Sequence, residues 1–192
     1  MAEQKNRIRS LQTQTAILKA ATRLARQNGW KDTRIQDICS LAGVSVGAFY
    51  HHFASKQELM NRAFLIFDDS LNDQLVAGNT SPTRAVKDVL MTQTSFIVKE
   101  AGGLIAEYYR HILFDRKKSA VSPDRKYYQA VLRYVREAEN RLRQPYTPEY
   151  VCELLIKYVR GCIIDWCLHD YAYDLVKRTD AELDLLINAL FE

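Results

Sequence analysis

The sequence predicts an all-α chain of about nine helices, a small three-helix head followed by a larger helical body. Three observations carry that prediction. Apolar residues recur at helical spacing in each segment between breaks. The breaks themselves are helix start and stop signals, glycines at C-caps and Ser or Thr ahead of prolines and capping boxes. No β-hairpin signal appears, and there is no Gly-rich phosphate loop.

The elements follow in order. Ile17, Leu18, Ala21, Leu24 and Ala25 form the apolar stripe of the first helix, ended by Asn28-Gly29. Thr33-Arg34-Ile35-Gln36 reads as a capping box opening a short second helix. Ser55-Lys56-Gln57-Glu58 is another, opening a long helix that runs towards Gly78. Ser81-Pro82, Ser122-Pro123 and Thr147-Pro148 each set an N-cap residue before a proline at the first helical position. Gly102-Gly103 breaks the segment between the first two, and Thr179-Asp180-Ala181-Glu182 is read as the box that opens the last helix.

Composition bounds the rest. A chain of 192 residues, 47% apolar and 26% charged, can bury a real core. No stretch approaches the roughly 18 apolar residues that cross a bilayer, and MAEQKNRIRSLQTQ is not a secretory signal, so the expected setting is cytoplasmic. Four cysteines, at 39, 152, 162 and 167, lack the paired spacing of a zinc site, so no metal or cofactor is expected. Residues 1–60 carry nine Lys/Arg against four Asp/Glu, which leaves the remainder close to neutral. A basic front end on a near-neutral body suits contact with phosphates.

Residues 33–53, TRIQDICSLAGVSVGAFYHHF, carry the most information. Ile35, Ile38 and Cys39 give the first short helix a buried edge, and Cys39 suits a close helix crossing. Gly43 permits a left-handed turn. Ser45 can cap the next helix, which Val44 and Phe49 anchor. The outward face of that helix shows Ser45, Val46, Ala48 and His51. Small side chains there let a helix sink into a major groove, where Ser can hydrogen-bond and Val or Ala can touch a thymine methyl. Tyr50, His51 and His52 can donate to phosphates or base edges, and Lys56 stands ready for a backbone phosphate.

The run from Ile17 to Leu59 resembles the DNA-binding head of the tetracycline-repressor (TetR) family. The resemblance rests on Ala42-Gly43-Val44-Ser45, Gly47, Tyr50, His52-Phe53, Ser55-Lys56 and Leu59. Cys39 departs from the alanine usual there. The resemblance covers about the first 60 residues. It implies a nine-helix homodimer that represses transcription from double-stranded operator DNA until a small molecule binds the body. Carried over by position, it implies phosphate contacts from Thr33, Tyr50, His52 and Lys56. It also places Ser45, Val46, Ala48 and His51, with Arg34, at the groove, and counts Gly47 among the DNA-binding residues. The expected division is a DNA-binding head over 1–54 and an effector-binding, dimerising body over 55–192.

In the body, Val151, Leu154, Leu155, Tyr158, Cys162 and Trp166 form one apolar stripe. Cys152, Ile156, Val159, Ile163 and Cys167 cover neighbouring angles, so the helix must be buried on two sides. Leu183, Leu185, Leu186, Ile187, Leu190 and Phe191 give the last helix the same character, and these two helices are the expected dimer contact. Gln93, Phe96, Tyr108, His111, Tyr128, Tyr158, Asp165 and Trp166 mix aromatic and polar groups on inward stripes, as an effector pocket would.

Three other readings are open. An enzyme would use Asp165 and His169, four apart, with His111 as a metal or acid–base cluster; one i, i+4 pair is a low-specificity signal. A redox sensor would use Cys39 or the Cys162/Cys167 pair, although reactive thiols need exposure that these apolar stripes withhold. The same fold can also activate transcription.

Overall fold

The computed structural model describes residues 2–71, 81–113 and 118–192. Among them are nine α-helices: α1 (Ala2–Asn28), α2 (Ile35–Ala42), α3 (Val46–His52), α4 (Lys56–Ser70), α5 (Pro82–Phe96), α6 (Ile105–Ile112), α7 (Lys126–Glu137), α8 (Pro148–Leu168) and α9 (Leu175–Leu190). The only β-pairing among the described residues is one isolated antiparallel bridge, Leu142 to Phe191. None of the described helices is long and apolar enough to cross a membrane. The Gly78 end predicted for α4 lies outside the described residues.

The chain falls into two compact units. The first comprises Met1–Ser70 and Lys99–Ala120, the second Leu71–Val98 and Val121–Glu192. In the first, α1 packs on α2 and α4, burying Ile17, Leu18, Ala21 and Ala25 with Ile38, Cys39, Phe49, Phe53, Leu59 and Met60. Leu24 is only half-buried. Gly29, at φ +81°, ends α1 by donating its N–H to the Ala25 carbonyl at 3.0 Å. Thr22 Oγ1 donates to the Glu100 carbonyl at 2.7 Å and Lys19 pairs with the Glu100 carboxylate at 3.0 Å, tying α1 to the segment before α6.

In the second unit α5, α7, α8 and α9 pack together around Val86, Val89, Leu90, Val131, Val135, Val151, Leu155, Val159 and Leu183. Lys87 enters this core with its side chain only 4% exposed, pairing with Asp180 at 2.9 Å and Asp184 at 2.5 Å on α9. Burial alone would pull its pKa down; the two carboxylates outweigh that and hold it above the ordinary lysine value.

Several predicted starts hold. Ser81 and Thr147 cap α5 and α8 by accepting from the N–H groups of Arg84 and Tyr150, each with proline in the first turn. The α5 helix continues as a π-helical turn, Ile97–Ala101, before Gly102-Gly103 ends the segment. Three starts are corrected. Thr33 does not cap α2: its hydroxyl turns back to the Gly29 carbonyl at 2.8 Å, and the helix opens after an extended Arg34 that makes no side-chain cap. Ser122-Pro123 opens a turn, with Ser122 Oγ accepting from the Asp124 N–H, and α7 starts later at Lys126. Thr179 sits buried inside α9, which opens at Leu175, with the Asp174 carboxylate accepting from the Lys177 N–H at 2.9 Å. A polar residue followed three later by Glu fits the middle of a helix as well as its start, and the cap that wins has the preceding non-helical backbone.

Candidate nucleic-acid interface

A short helix can be presented to a partner only if its own contacts are small and firm. The backbone of α2 ends at Gly43, whose φ of +68° lets its N–H reach the carbonyls of Cys39 and Ser40. Val44 N–H then donates to the Cys39 carbonyl at 3.0 Å. That tight turn lets Ser45 begin α3, its Oγ accepting from the Ala48 N–H at 3.0 Å. Phe49, fully buried, and Phe53 fix α3 to the core, their ring centroids 5.6 Å apart.

With that side anchored, the rest of α3 faces outward. Ser45, Val46, Gly47, Tyr50 and His51 are exposed, while Ala48 and His52 are half-buried. A Cβ on Gly47 would meet only Ser45 Oγ, at 3.8 Å, so nothing within the chain demands glycine there. Tyr50 stands edge-on to Phe49 and is 53% exposed, leaving its hydroxyl for a partner. Burial, then His51 and Arg62, lower the His52 pKa, so its ring is mostly neutral at pH 7. Arg34 is exposed at the N-cap of α2.

Two predicted residues are placed differently. Thr33 is 2% exposed with its hydroxyl spent on Gly29, so its side chain faces inward. Lys56 is half-buried, and its ammonium donates to the carbonyls of Trp30 at 2.6 Å, Lys31 at 3.2 Å and Thr33 at 2.8 Å. Burial lowers its pKa, against the pull of Asp32 and Glu107. The Ser55 box closes with a shift: Ser55 Oγ accepts from Glu58 N–H, and Glu58 returns to the N–H of Ala54 at 2.6 Å.

Residues the sequence reading did not single out complete the site. Gln36 is exposed in the first turn of α2. Arg62 donates to the His52 carbonyl at 3.0 Å and lies over the Phe53 ring, closing the end of α3 from α4. Trp30 supplies both a carbonyl and a ring to Lys56. Trp30 follows the C-cap directly, a signal that could have found it; the Arg62 contact is ten residues long and leaves no local pattern.

The predicted effector residues divide between the units. Tyr108, buried, and His111, half-buried, belong to the first. In the second, Gln93 is buried and Phe96 half-buried on α5, and Tyr128 is half-buried on α7. Trp166 is buried, its indole N–H donating to the Tyr173 carbonyl at 2.9 Å. Tyr158 and Asp165 meet at an open pocket of about 280 Å³ between α8 and α9, lined also by Cys162, Tyr173, Arg178 and Glu182. There Tyr158 donates to Glu182 at 2.9 Å and Tyr173 to Asp165 at 2.8 Å.

His169 Nδ1 lies 3.5 Å from the Asp165 carboxylate in an exposed i, i+4 pair, and no group of three metal-binding side chains occurs among the described residues. All four cysteines are free thiols. Burial raises the pKa of each, that of Cys152 to about 12, which keeps them in the unreactive protonated form.

A tight left-handed turn between two short helices, with the second held by one face and open on the other, defines a helix-turn-helix protein. Residues 17–63 match the sequence profile of bacterial regulatory proteins of the tetR family. It is 41% identical over 56 residues to the HTH-type transcriptional regulator CymR of Pseudomonas putida, covering 29% of this chain and 28% of that protein. It is 27% identical over 96 residues to the HTH-type transcriptional repressor KstR2 of Rhodococcus jostii, covering 49% of this chain and 47% of the relative. These alignments thus span less than half the length of either curated relative.

Likeness to solved structures extends over the whole fold. The Bacillus subtilis transcriptional regulator FadR, solved in complex with stearoyl-CoA, aligns with a TM-score of 0.66 at 15% identity, over 90% of this chain and 96% of that one. KstR2 of Mycobacterium tuberculosis aligns at 0.59 and 16% identity, over 93% and 95%. At such identities the likeness concerns the fold alone.

Proposed function

We propose that this protein is a sequence-specific DNA-binding transcriptional regulator, a repressor that leaves its operator when a small molecule binds its body. The observation that carries this reading is the face of α3. Ser45, Val46, Gly47, Tyr50 and His51 lie exposed on a helix whose opposite side is locked by fully buried Phe49. Such a helix has little else to do than enter a groove.

Roles follow from chemistry. Ser45, Val46, Ala48 and His51 read base edges, Arg34 joins them at the groove with its charge drawn to the phosphates, Gly47 lets the backbone come close, and Tyr50 and His52 hold phosphates. The division into a head over 1–54 and a body over 55–192 is part of the same proposal. So is a homodimer through α8 and α9, which leave Ile164, Leu168 and Leu185 at 38%, 76% and 72% exposure. Pairing these surfaces would bury them and hold two recognition helices at a fixed spacing. The effector acts by population shift: it favours the released state only through its preference for that state. FadR, crystallised with stearoyl-CoA, is a member of the fold with a ligand of its own. The working compartment is the cytoplasm, where the operator is.

The test is selection of genomic fragments by the purified protein, read by sequencing, beside a Tyr50→Ala variant. A palindromic site enriched by the wild type and lost by the variant supports the reading; equal recovery of unrelated fragments by both refutes it.

A further inference from the structure

An ammonium has three N–H donors. In Lys56, the first residue of α4, all three are committed to the carbonyls of Trp30, Lys31 and Thr33, at 2.6, 3.2 and 2.8 Å. The same ammonium stands 4.6 Å from the centre of the Trp30 ring, a cation–π contact. These carbonyls belong to the turn that leaves α1 at Gly29 and delivers the chain to Arg34 and α2. That turn has one other closure, the Thr33 hydroxyl on the Gly29 carbonyl. To reach a phosphate, Lys56 would have to give up at least one carbonyl inside this seat.

We propose that Lys56 sets DNA affinity as a positioning residue: it holds the Trp30–Thr33 backbone, and through it Arg34 and the start of α2, in the shape the duplex meets, without pairing with a phosphate itself. The inference rests on the DNA-binding function proposed above. It separates two kinds of lysine that a sequence cannot distinguish. A phosphate-pairing lysine is a point charge that arginine replaces well. A lysine whose three donors converge on three carbonyls cannot be replaced by a planar guanidinium fork.

The experiment measures affinity for a labelled duplex carrying the selected genomic site, across a range of salt, for the wild type, Lys56→Arg, Lys56→Met and Arg34→Ala. Trp30 emission is followed in a Trp166→Phe background, which leaves it the single tryptophan. Both Lys56 variants are expected to bind on the order of tenfold more weakly at every salt concentration, as loss of charge-assisted hydrogen bonds requires. Their plots of log affinity against log salt should run parallel to that of the wild type, with Trp30 emission shifted. Arg34→Ala, removing an exposed charge, should flatten its slope by about 0.9.

Wild-type affinity in Lys56→Arg would overturn the proposal. So would a slope lowered by about 0.9 in Lys56→Met with unchanged Trp30 emission, the signature of a lost phosphate contact. Should Lys56→Met fail to fold, Lys56→Arg carries the test alone. If the wild type binds no duplex at all, it is the DNA-binding reading that fails. Amide exchange across Ile35–Ala42 in the free protein then still decides whether Lys56 holds the turn; exchange unchanged in both variants would overturn it.

Discussion

Gly103 lies so close to α1 that a Cβ on it would overlap the carbonyl oxygen of Thr22. The Arg26 side chain is the next obstacle at 2.6 Å, and a flexible side chain can move where a helical carbonyl cannot. Two polar contacts fix the approach, Thr22 to the Glu100 carbonyl and Lys19 to its carboxylate. Gly103→Ala must therefore push α1 away from this segment. We expect a loss of about 1–3 kcal/mol, typical of overpacking, read as a lowered denaturation midpoint with an unchanged denaturant slope. A midpoint equal to that of the wild type would show that the approach is looser than described.

Gly47 should behave in the opposite way. It is helical, and a Cβ there meets nothing nearer than Ser45 Oγ at 3.8 Å. Alanine removes the backbone-entropy cost of glycine, so Gly47→Ala is expected to stabilise the free protein by about 0.5–1 kcal/mol. The same methyl lands on the face offered to DNA and should weaken binding. Thermal melting and duplex titration of one preparation measure both signs. Tighter or unchanged binding would remove Gly47 from the interface.

Lys87 offers a test of the second unit. Its ammonium is buried, whereas Asp180 and Asp184 are about half exposed. Removing the cation leaves two carboxylates that water can solvate; removing both carboxylates strands a charge in the core. Lys87→Met should thus cost less than the double variant Asp180→Asn/Asp184→Asn, whose penalty approaches the roughly 3–5 kcal/mol of a broken buried pair. Urea titration of both variants gives the order, and the reverse order would mean that the lysine side chain retreats to solvent.

His52 gives the first unit a pH dependence. Burial first, then His51 and Arg62, hold its pKa below the ordinary 6.5. The unfolded chain therefore takes up the proton more readily than the folded one. The contribution of His52 to stability is full above 6.5 and falls away as the pH drops towards its folded value, below which it changes no further. Melting temperatures of the wild type and His52→Asn across pH 7 to 5 check this, since the difference isolates His52 from the other three histidines. A difference that does not narrow on acidification would contradict it.

What the sequence made legible was what is encoded locally. Gly43, Ser45 and Phe49 lie within seven residues of one another, and their turn, cap and anchor follow from residue type alone. Asn28-Gly29 and the caps at Ser81 and Thr147 were readable for the same reason. The failures have a common cause. Thr33 and Thr179 match the capping pattern, but choosing between a cap and a buried hydroxyl depends on packing that a four-residue window does not contain. Lys56 shows the same limit of a local window: its position beside α3 suggests a phosphate, and only the fold brings the Trp30–Thr33 carbonyls, more than twenty residues away, to its ammonium.

The central claim, that α3 reads bases, is tested most directly by selecting duplexes from a random-sequence library with the wild type, Ser45→Ala and Val46→Ala. If α3 lies in the groove, each substitution changes base preference at one symmetry-related pair of positions and leaves the rest of the consensus intact. An identical consensus from all three proteins would mean that sequence is read elsewhere, and that the exposed face of α3 serves another purpose.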